Sequence, residues 1–420
     1  MEVRVKAQGK RQRGKAMNLK HLNVKYALTN IGYLLLLCGT MGYAYNYLSQ
    51  SGFDDGTAGM IITAISLAGV IAGPAAGALV DRSSKITQKM FIVVSMVVTI
   101  ALAFVLALLP SGSPLIMPVI IIDFMSASIG MPLLNGMAFI YEKEGGVINY
   151  GLCRGLGSVA YAVGSSFLGR LWSAFGKGAL PVYIMVAAAA TLFFVMMMPS
   201  ASAGADASSN VGNANKDGGS AGESISLAQF FVKYRDPSWV VVALVLMFFC
   251  HFLINNFMAK VVGMFVLENV ETVQGNAMFI AAMLELPTMF GFSLLLKRFS
   301  VNRILAVSSV FFSLKHIITF VSTSVPMFYF AMALQMLGFA ALVPAVVYFA
   351  NEQVAEEDRN KGQAIFSAGQ SVGALVASFV GGWLFTLLPT RAVLGVGAVA
   401  SVCGTLLMMF VLRKIGAGKS

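Results

Sequence analysis

Asn149-Tyr150-Gly151-Leu152-Cys153-Arg154-Gly155-Leu156-Gly157-Ser158 opens a glycine-rich apolar segment that continues past Gly164. It follows a short charged link, Tyr141-Glu142-Lys143-Glu144-Gly145-Gly146, which closes another apolar segment containing Asp123. An arginine one turn inside such a segment costs about 2.5–3.5 kcal/mol on insertion scales unless it faces a wet cavity or a carboxylate. Arg154 therefore marks a helix that borders a polar interior. Its expected partner is Glu285, placed near the middle of a later apolar segment.

Working outward, the same kind of segment recurs along the chain. Of 420 residues, 58% are hydrophobic and 11% charged, which leaves too little polar surface for a soluble protein of this size. Twelve apolar segments of about 20 residues are each long enough to cross a hydrocarbon core of about 30 Å as a helix. They fall near 27–48, 58–80, 90–109, 115–139, 150–172 and 179–199, then 239–259, 277–296, 303–322, 326–349, 362–387 and 392–412. The fold class is an all-α membrane protein, twelve transmembrane helices in two six-helix halves. A membrane barrel would show short alternating segments instead.

The expected organisation is a basic cytoplasmic tail at 1–26, a six-helix bundle at 27–199, a cytoplasmic linker at 200–236, a second bundle at 237–412 and a short tail at 413–420. The linker is rich in Ser, Ala, Gly and Asn up to Gly222 and then carries an interfacial helix from Ile225 to Tyr234. With both termini cytoplasmic, Arg170, Lys177, Lys260 and Arg391 lie outside, Lys315 lies within a span, and the rest of the 29 Lys and Arg lie inside. That asymmetry predicts the orientation and explains the net charge of +11 without nucleic acid. The setting expected is a cell membrane, of the bacterial inner-membrane kind, with membrane lipids and a small solute as partners and a monomer as the unit. Trp172, Trp239 and Trp383 are expected as interfacial anchors.

The polar residues inside the spans are the candidate site. Glu285 would protonate if isolated and ionise beside a cation such as Lys315. Asp123 interrupts an aliphatic run and is expected to face a cavity or a polar neighbour. His251 and Asn255, four residues apart, share a helix face, whereas Asn256 is turned away by about 100°. Gln335, Gln363 and Gln370 add amides, and Asn30, Tyr33, Tyr43, Asn46 and Tyr47 line the first span and its extension. Amides and rings around a few charges suit a small polar solute. No nucleotide-binding glycine loop, metal-ligand cluster or nucleophile motif occurs, so neither an enzyme nor a cofactor is expected, and a proton gradient is the energy source that fits.

Several of these stretches resemble the major facilitator superfamily, and in detail its oligosaccharide:proton symporter branch. Gly56 to Leu67, followed by Gly77-Ala78-Leu79-Val80-Asp81-Arg82, resembles that branch's second span and acidic loop; Asn149 to Tyr161 resembles the start of its fifth span; Met283-Leu284-Glu285-Leu286 resembles its eighth-span motif. The resemblance implies alternating access between two halves, Arg154 as the cavity arginine, and Glu285 in substrate recognition and proton coupling. It places Lys315 where the ninth span carries an arginine, and Asp81 and Arg82 in conformational switching. The departures are equally specific: Asn135 replaces a substrate-binding glutamate, Gln335 and Gly338 replace a histidine and a glutamate, and His251 and Gln370 replace a paired acid and lysine. The branch's tenth-span proton carrier is thus absent, so Glu285 must do more of the coupling, with Lys315 as its partner, or Asp123 must join it. A proton-coupled symporter of a sugar- or nucleoside-like solute is the reading that follows; an exporter of drugs or metabolites and a non-transporting sensor are the alternatives.

Overall fold

The computed structural model describes residues 21–83, 86–143, 145–199 and 225–417, and leaves aside the side chains of Asp81 and Ala417. The basic tail up to Lys20, Glu144 of the charged link, most of the linker and the last three residues fall outside this set. Twelve helical passages account for the fold. Those of the first half are α1 (Leu22–Gly42, extended by Ala44–Gln50), α2 (Asp55–Arg82), α3 (Gln88–Leu108), α4 (Ile116–Lys143), α5 (Tyr150–Phe175) and α6 (Ala179–Met197). After the interfacial helix Leu227–Lys233 come α7 (Arg235–Asn256), α8 (Val270–Arg298), α9 (Val301–Val321), α10 (Val325–Ala333 and Phe339–Gln353, joined by a 3-10 turn), α11 (Arg359–Leu387) and α12 (Thr390–Ala417).

Local chemistry sets the helix starts. Thr87 accepts from the Met90 amide at 3.1 Å, Asn149 from Leu152 at 3.0 Å and Ser300 from Arg303 at 3.4 Å, each satisfying a donor that the first helical turn leaves open. Asp54 does the same for α2, and the hydroxyl and amide of Thr57 hold its carboxyl below the usual carboxylate range. Ser226 and Gln229 form a reciprocal capping box on the interfacial helix. Hydropathy understates helix length at several ends: α1 starts at Leu22, inside the expected tail, and α8 starts at Val270. Polar residues such as Asn23 and Glu271 continue a helix beyond the hydrocarbon without registering in an apolar window.

The pattern of helix packing shows the duplication that the sequence barely echoes. In the first half the packed pairs are α1–α5, α1–α6, α2–α4, α3–α4 and α3–α6; in the second they are α7–α11, α7–α12, α8–α10, α9–α10 and α9–α12. Each second-half pair is the first-half pair displaced by six helices. The halves meet through α2 against α11 and α5 against α8, two contacts that a two-fold exchange of the halves converts into one another.

Both crossings are closest at the face away from the termini. A Cβ on Gly59 of α2 would lie 2.4 Å from the Ser378 carbonyl oxygen and 2.8 Å from Gly382 Cα of α11. On the other crossing, a Cβ on Gly169 of α5 would lie 2.2 Å from the Glu271 carbonyl oxygen, and one on Gly275 of α8 would lie 2.3 Å from that of Ser165. These are backbone-to-backbone contacts, of the kind small residues permit in lipid. Toward the termini the helices diverge: Gly73 of α2 faces Pro132 of its own half, Gly77 faces open space, and at α5–α8 it is a side chain, Phe290, that reaches Gly155.

Polar contacts complete the seal. Lys260 pairs with Asp55 across the halves, and Tyr45 donates to the same carboxylate at 2.5 Å. Asn46 donates to Gln274 at 2.8 Å, Gln50 to Glu271 at 2.7 Å and Ser166 to Asn276 at 2.7 Å. Trp172 is part of this seal and not an anchor: it is buried, stacks on Tyr43 and donates to Gln50 at 3.0 Å. Its position near a helix end is what an anchor would share. Trp239 and Trp383 are exposed on the apolar surface.

Replacing Gly59 with Val should wedge α2 from α11 and open this face. Spin labels at Phe175→Cys and Leu267→Cys, one exposed residue on each half, should report a distance several ångströms longer than in the parent; an unchanged distance would show that the crossing does not control closure.

Candidate functional site

Between the halves, below the seal, lies a cavity of about 400 Å³ bordered by α1, α5, α7, α8, α10 and α11. A larger crevice of about 680 Å³ runs between α8, α9 and α10, but its wall is almost wholly apolar and lies among residues exposed on the outer surface, such as Leu294 and Val307. The polar chemistry is in the smaller one. Arg154, His251, Asn255, Glu285, Gln335 and Gln370 all line it.

Backbone irregularity places one of the central residues. The α10 helix breaks into a 3-10 turn at Leu334–Met336, and at Gly338 just beyond, a Cβ would stand 2.9 Å from Phe312 Cα of α9. That close approach brings Gln335 between two charges. Its Nε2 donates to Glu285 Oε1 on α8, and its Oε1 accepts from Lys315 Nζ on α9. An amide has a donor end and an acceptor end, so it matches a carboxylate on one side and an ammonium on the other. Lys315, fully buried, also lies 3.4 Å from His251 Nδ1, and the amide of Asn255 meets His251 Nε2 at 2.9 Å. The His251 ring stacks on Phe339, centroids 5.0 Å apart and planes inclined by 14°. A continuous polar chain thus runs Glu285, Gln335, Lys315, His251, Asn255 across four helices. His316, next to Lys315, turns the other way and bonds Ser401 at 2.7 Å inside the α9–α12 packing.

Arg154 and Glu285 share the cavity without forming an ion pair, which corrects the partnership expected from sequence. The Glu285 carboxylate is taken by Gln335, itself backed by Lys315, and Arg154 Nη1 has no hydrogen-bond partner among the described residues. Sequence places both charges in spans but leaves open which cation the amide serves.

Asp123 and Asn135 do not line the cavity. Asp123 is fully buried in α4, which packs against α3, and neither carboxylate oxygen has a hydrogen-bond partner among the described residues. Asn135 lies half-buried further along α4 with its Oδ1 likewise unpartnered. Arg82 is exposed at the end of α2, and the Asp81 side chain lies outside the described residues. The first-span polar residues serve internal packing or the seal: Asn30 donates to the Tyr26 carbonyl at 2.9 Å, Tyr33 to that of Ala127, and Tyr43 to that of Ser165 at 2.7 Å.

Sequence reasoning missed most of the wall. Ser158 and Tyr161 lie one and two turns beyond Arg154, a spacing that puts them on its side of α5. Asn256, although turned from Asn255, still reaches the cavity edge and donates to Ser378 at 2.8 Å. Five methionines, Met41, Met258, Met278, Met289 and Met332, line the remainder, and nothing in sequence separates them from core methionines.

A polar cavity held between two duplicated six-helix halves is the architecture of a membrane transporter of the major facilitator type. The MFS_1 like family model matches residues 32–394, and the chain belongs to that family. Among curated proteins no sequence matches. Among solved structures, a mutant of the nucleoside transporter NupG is similar with a TM-score of 0.75 at 14% identity, covering 93% of this chain and 99% of that one. A mutant of the peptide transporter POT in complex with alafosfalin gives 0.71 at 12% identity, covering 94% of this chain and 95% of that one. A bacterial homologue of the human lysosomal transporter Spinster, inward-facing and unoccupied, gives 0.62 at 13% identity, covering 94% and 96%. At these identities the likeness concerns the fold.

Two stability outcomes follow from the site. Lys315→Met should lower unfolding stability in detergent by about 3 kcal/mol because it strands a carboxylate, and adding Glu285→Gln should recover part of it, a coupling of about 1–3 kcal/mol; strictly additive losses would dissolve the Glu285–Gln335–Lys315 unit. Asp123→Asn, in contrast, removes a buried charge-capable group whose carboxylate oxygens have no hydrogen-bond partner among the described residues, so its melting temperature should equal or exceed the parent's.

Proposed function

We propose that the protein is a proton-coupled symporter that imports a small polar solute, sugar- or nucleoside-like, across a cell membrane. In this reading both termini are cytoplasmic, as the distribution of Lys and Arg supports, so the glycine seal lies on the outer side and the cavity faces inward. The protein works as a monomer, since each chain supplies a whole cavity, and its energy comes from the proton gradient, with no cofactor.

The observation that carries the reading is the amide-bridged pair at the cavity wall. Glu285 borders the solute space while being tied through Gln335 to a buried cation. Ionised, it accepts from Gln335 and opposes Lys315; protonated, it loses the charge that holds the chain in place. Rocking of the halves about α2–α11 and α5–α8 changes what the cavity wall meets, and a carboxyl whose bonding depends on the arrangement exchanges its proton with it. The oligosaccharide:proton symporter branch is supported by Arg154, Glu285 and Lys315 and opposed by Asn135, Gln335, Gly338, His251 and Gln370. Likeness of fold to a nucleoside transporter keeps that solute class in view.

Export is a second reading, favoured by the five cavity methionines, whose pliant side chains suit varied apolar solutes. Counterflow in vesicles of known sidedness separates the two.

The deciding measurement is proton uptake by vesicles on addition of a panel of sugars and nucleosides. A solute-dependent alkalinisation outside right-side-out vesicles, abolished in Glu285→Gln while solute still binds, is the expected result. Flux without proton movement, or coupling intact in the variant, would remove Glu285 from the coupling role.

A further inference from the structure

The cavity has an uncompensated positive charge. Arg154, Glu285 and His251 are the titratable or charged side chains on its wall apart from the Tyr161 phenol, and Lys315 stands directly behind Gln335. Four arrangements of the Glu285–Lys315 pair exist. With both ionised the pair cancels; with both neutral it contributes nothing; with the glutamate protonated and the lysine charged it adds a positive charge. The fourth, an ionised glutamate beside a neutral lysine, takes away the cation that backs Gln335 behind the carboxylate, leaves Arg154 unpaired with it, and is the least favourable. In the other three the cavity has a net charge of at least one, and Arg154 supplies it.

The rest of the wall does not answer that charge. Arg154 makes no ion pair among the described residues, and its Nη1 is shielded from solvent without a hydrogen-bond acceptor. The titratable side chains that act on it electrostatically are the phenols of Tyr26 on α1 and Tyr150 on its own helix, and Tyr26 gives its hydroxyl proton to the Leu134 carbonyl at 3.2 Å. On α4, the position at which the resembled branch carries a carboxylate is Asn135, which does not reach the cavity. The guanidinium is a planar fork of donors that fits a carboxylate or phosphate in two parallel bonds.

We infer that the transported solute is a small organic anion, a polar molecule with one acidic group that supplies the acceptor Arg154 lacks while its hydroxyl or amide groups meet Asn255 and Gln370. This rests on the transport reading above and narrows it from polar solutes in general to monoanions. The 400 Å³ cavity limits the size to about one ring with its substituents. Entry of the anion with a proton on Glu285 moves no net charge into the cavity.

Charge-selective labelling tests this without knowing the solute. In a full-length background with the four native cysteines replaced, Ser158→Cys puts a thiol on the cavity wall. Its rate of modification by the sulfonatoethyl methanethiosulfonate is compared with that by the trimethylammonioethyl reagent, each normalised to a free thiol. A preference for the anionic reagent that falls about tenfold on Arg154→Gln, but is kept in Arg154→Lys, is expected. Equal rates, a cationic preference, or a ratio indifferent to Arg154→Gln would overturn the inference, the last showing an arginine already neutralised by solvent or lipid.

Thermal stabilisation by matched pairs, glucuronate against glucose and orotate against uracil, then asks for binding. Stabilisation by an acid and not its neutral partner, weakened about 10- to 100-fold in affinity by Arg154→Gln, supports the class; stabilisation by the neutral members alone overturns it. If neither pair stabilises, the labelling ratio decides. An acid that binds through Arg154 yet moves nothing in proteoliposomes would leave the anion site standing and defeat the transport reading instead.

Discussion

The structure depends on two places where backbone meets backbone across the halves. At Gly59 with Gly382, and at Gly169 with Gly275, helices approach so closely that a methyl group on any of the four would overlap a neighbouring main-chain atom. In lipid no hydrophobic gain drives helices together, so contact of this kind and interhelical hydrogen bonds must supply the association. Both are concentrated at one face. The Asp55–Lys260 pair and the amide contacts of Asn46 and Gln50 are therefore secondary to the crossings that bring them within reach. Polar contacts that are strong when dry and weak when wet suit a face that must open as well as close.

The cavity shows a different economy of charge. Burying Glu285 and Lys315 as separate ions would be prohibitive, and burying them in direct contact would lock them. Gln335 between them keeps each charge hydrogen-bonded while holding the ions an amide's length apart. Such a link is strong enough to hold an ionised carboxylate and weak enough to release a protonated one. The broken helix that positions Gln335 has a physical cause in Gly338, where α10 leans on the backbone of α9.

How much of this was legible in the sequence varies with the physics involved. Span number and placement were, because crossing a bilayer demands an apolar run of fixed length, and the helices from α2 to α12 lie where hydropathy puts them, with longer polar ends. The polar cavity residues of the second half were largely legible too, because a polar side chain mid-span must face something polar: His251, Asn255, Glu285, Gln335 and Gln370 do. For Asp123 the same rule leaves a cavity and a polar neighbour both open, and the structure buries it in α4 away from the cavity, since the rule does not say which interior a residue faces. The pairing of Arg154 with Glu285 failed for another reason. Two opposite charges were assigned to each other by default, and a third residue, Gln335, took the carboxylate through a local break in α10 that no periodicity announces. Trp172 had an anchor's position but a seal's surroundings.

The two halves, although built on one packing plan, have divided their chemistry. Nearly all the groups able to gain or lose a proton at the cavity belong to α7, α8, α9 and α10, joined into one chain from Glu285 to Asn255. The first half offers the fixed charge of Arg154, whose guanidinium stays protonated at any working pH, with Ser158 and Tyr161 beside it on the same helix. Duplication would have begun with equal halves. A transporter that couples a proton to a solute gains from inequality, because the proton site must respond to the solute without competing for the same atoms. In the proton-coupled reading proposed above, the invariant charge stands on α5 and the variable one on α8, the two helices that cross at the glycine seal, and the distance between them follows the rocking of the halves. A solute bridging Arg154 and the Glu285 wall would then be held most firmly in one arrangement of the halves, and the Gln335 link would feel its presence through the carboxyl it shares.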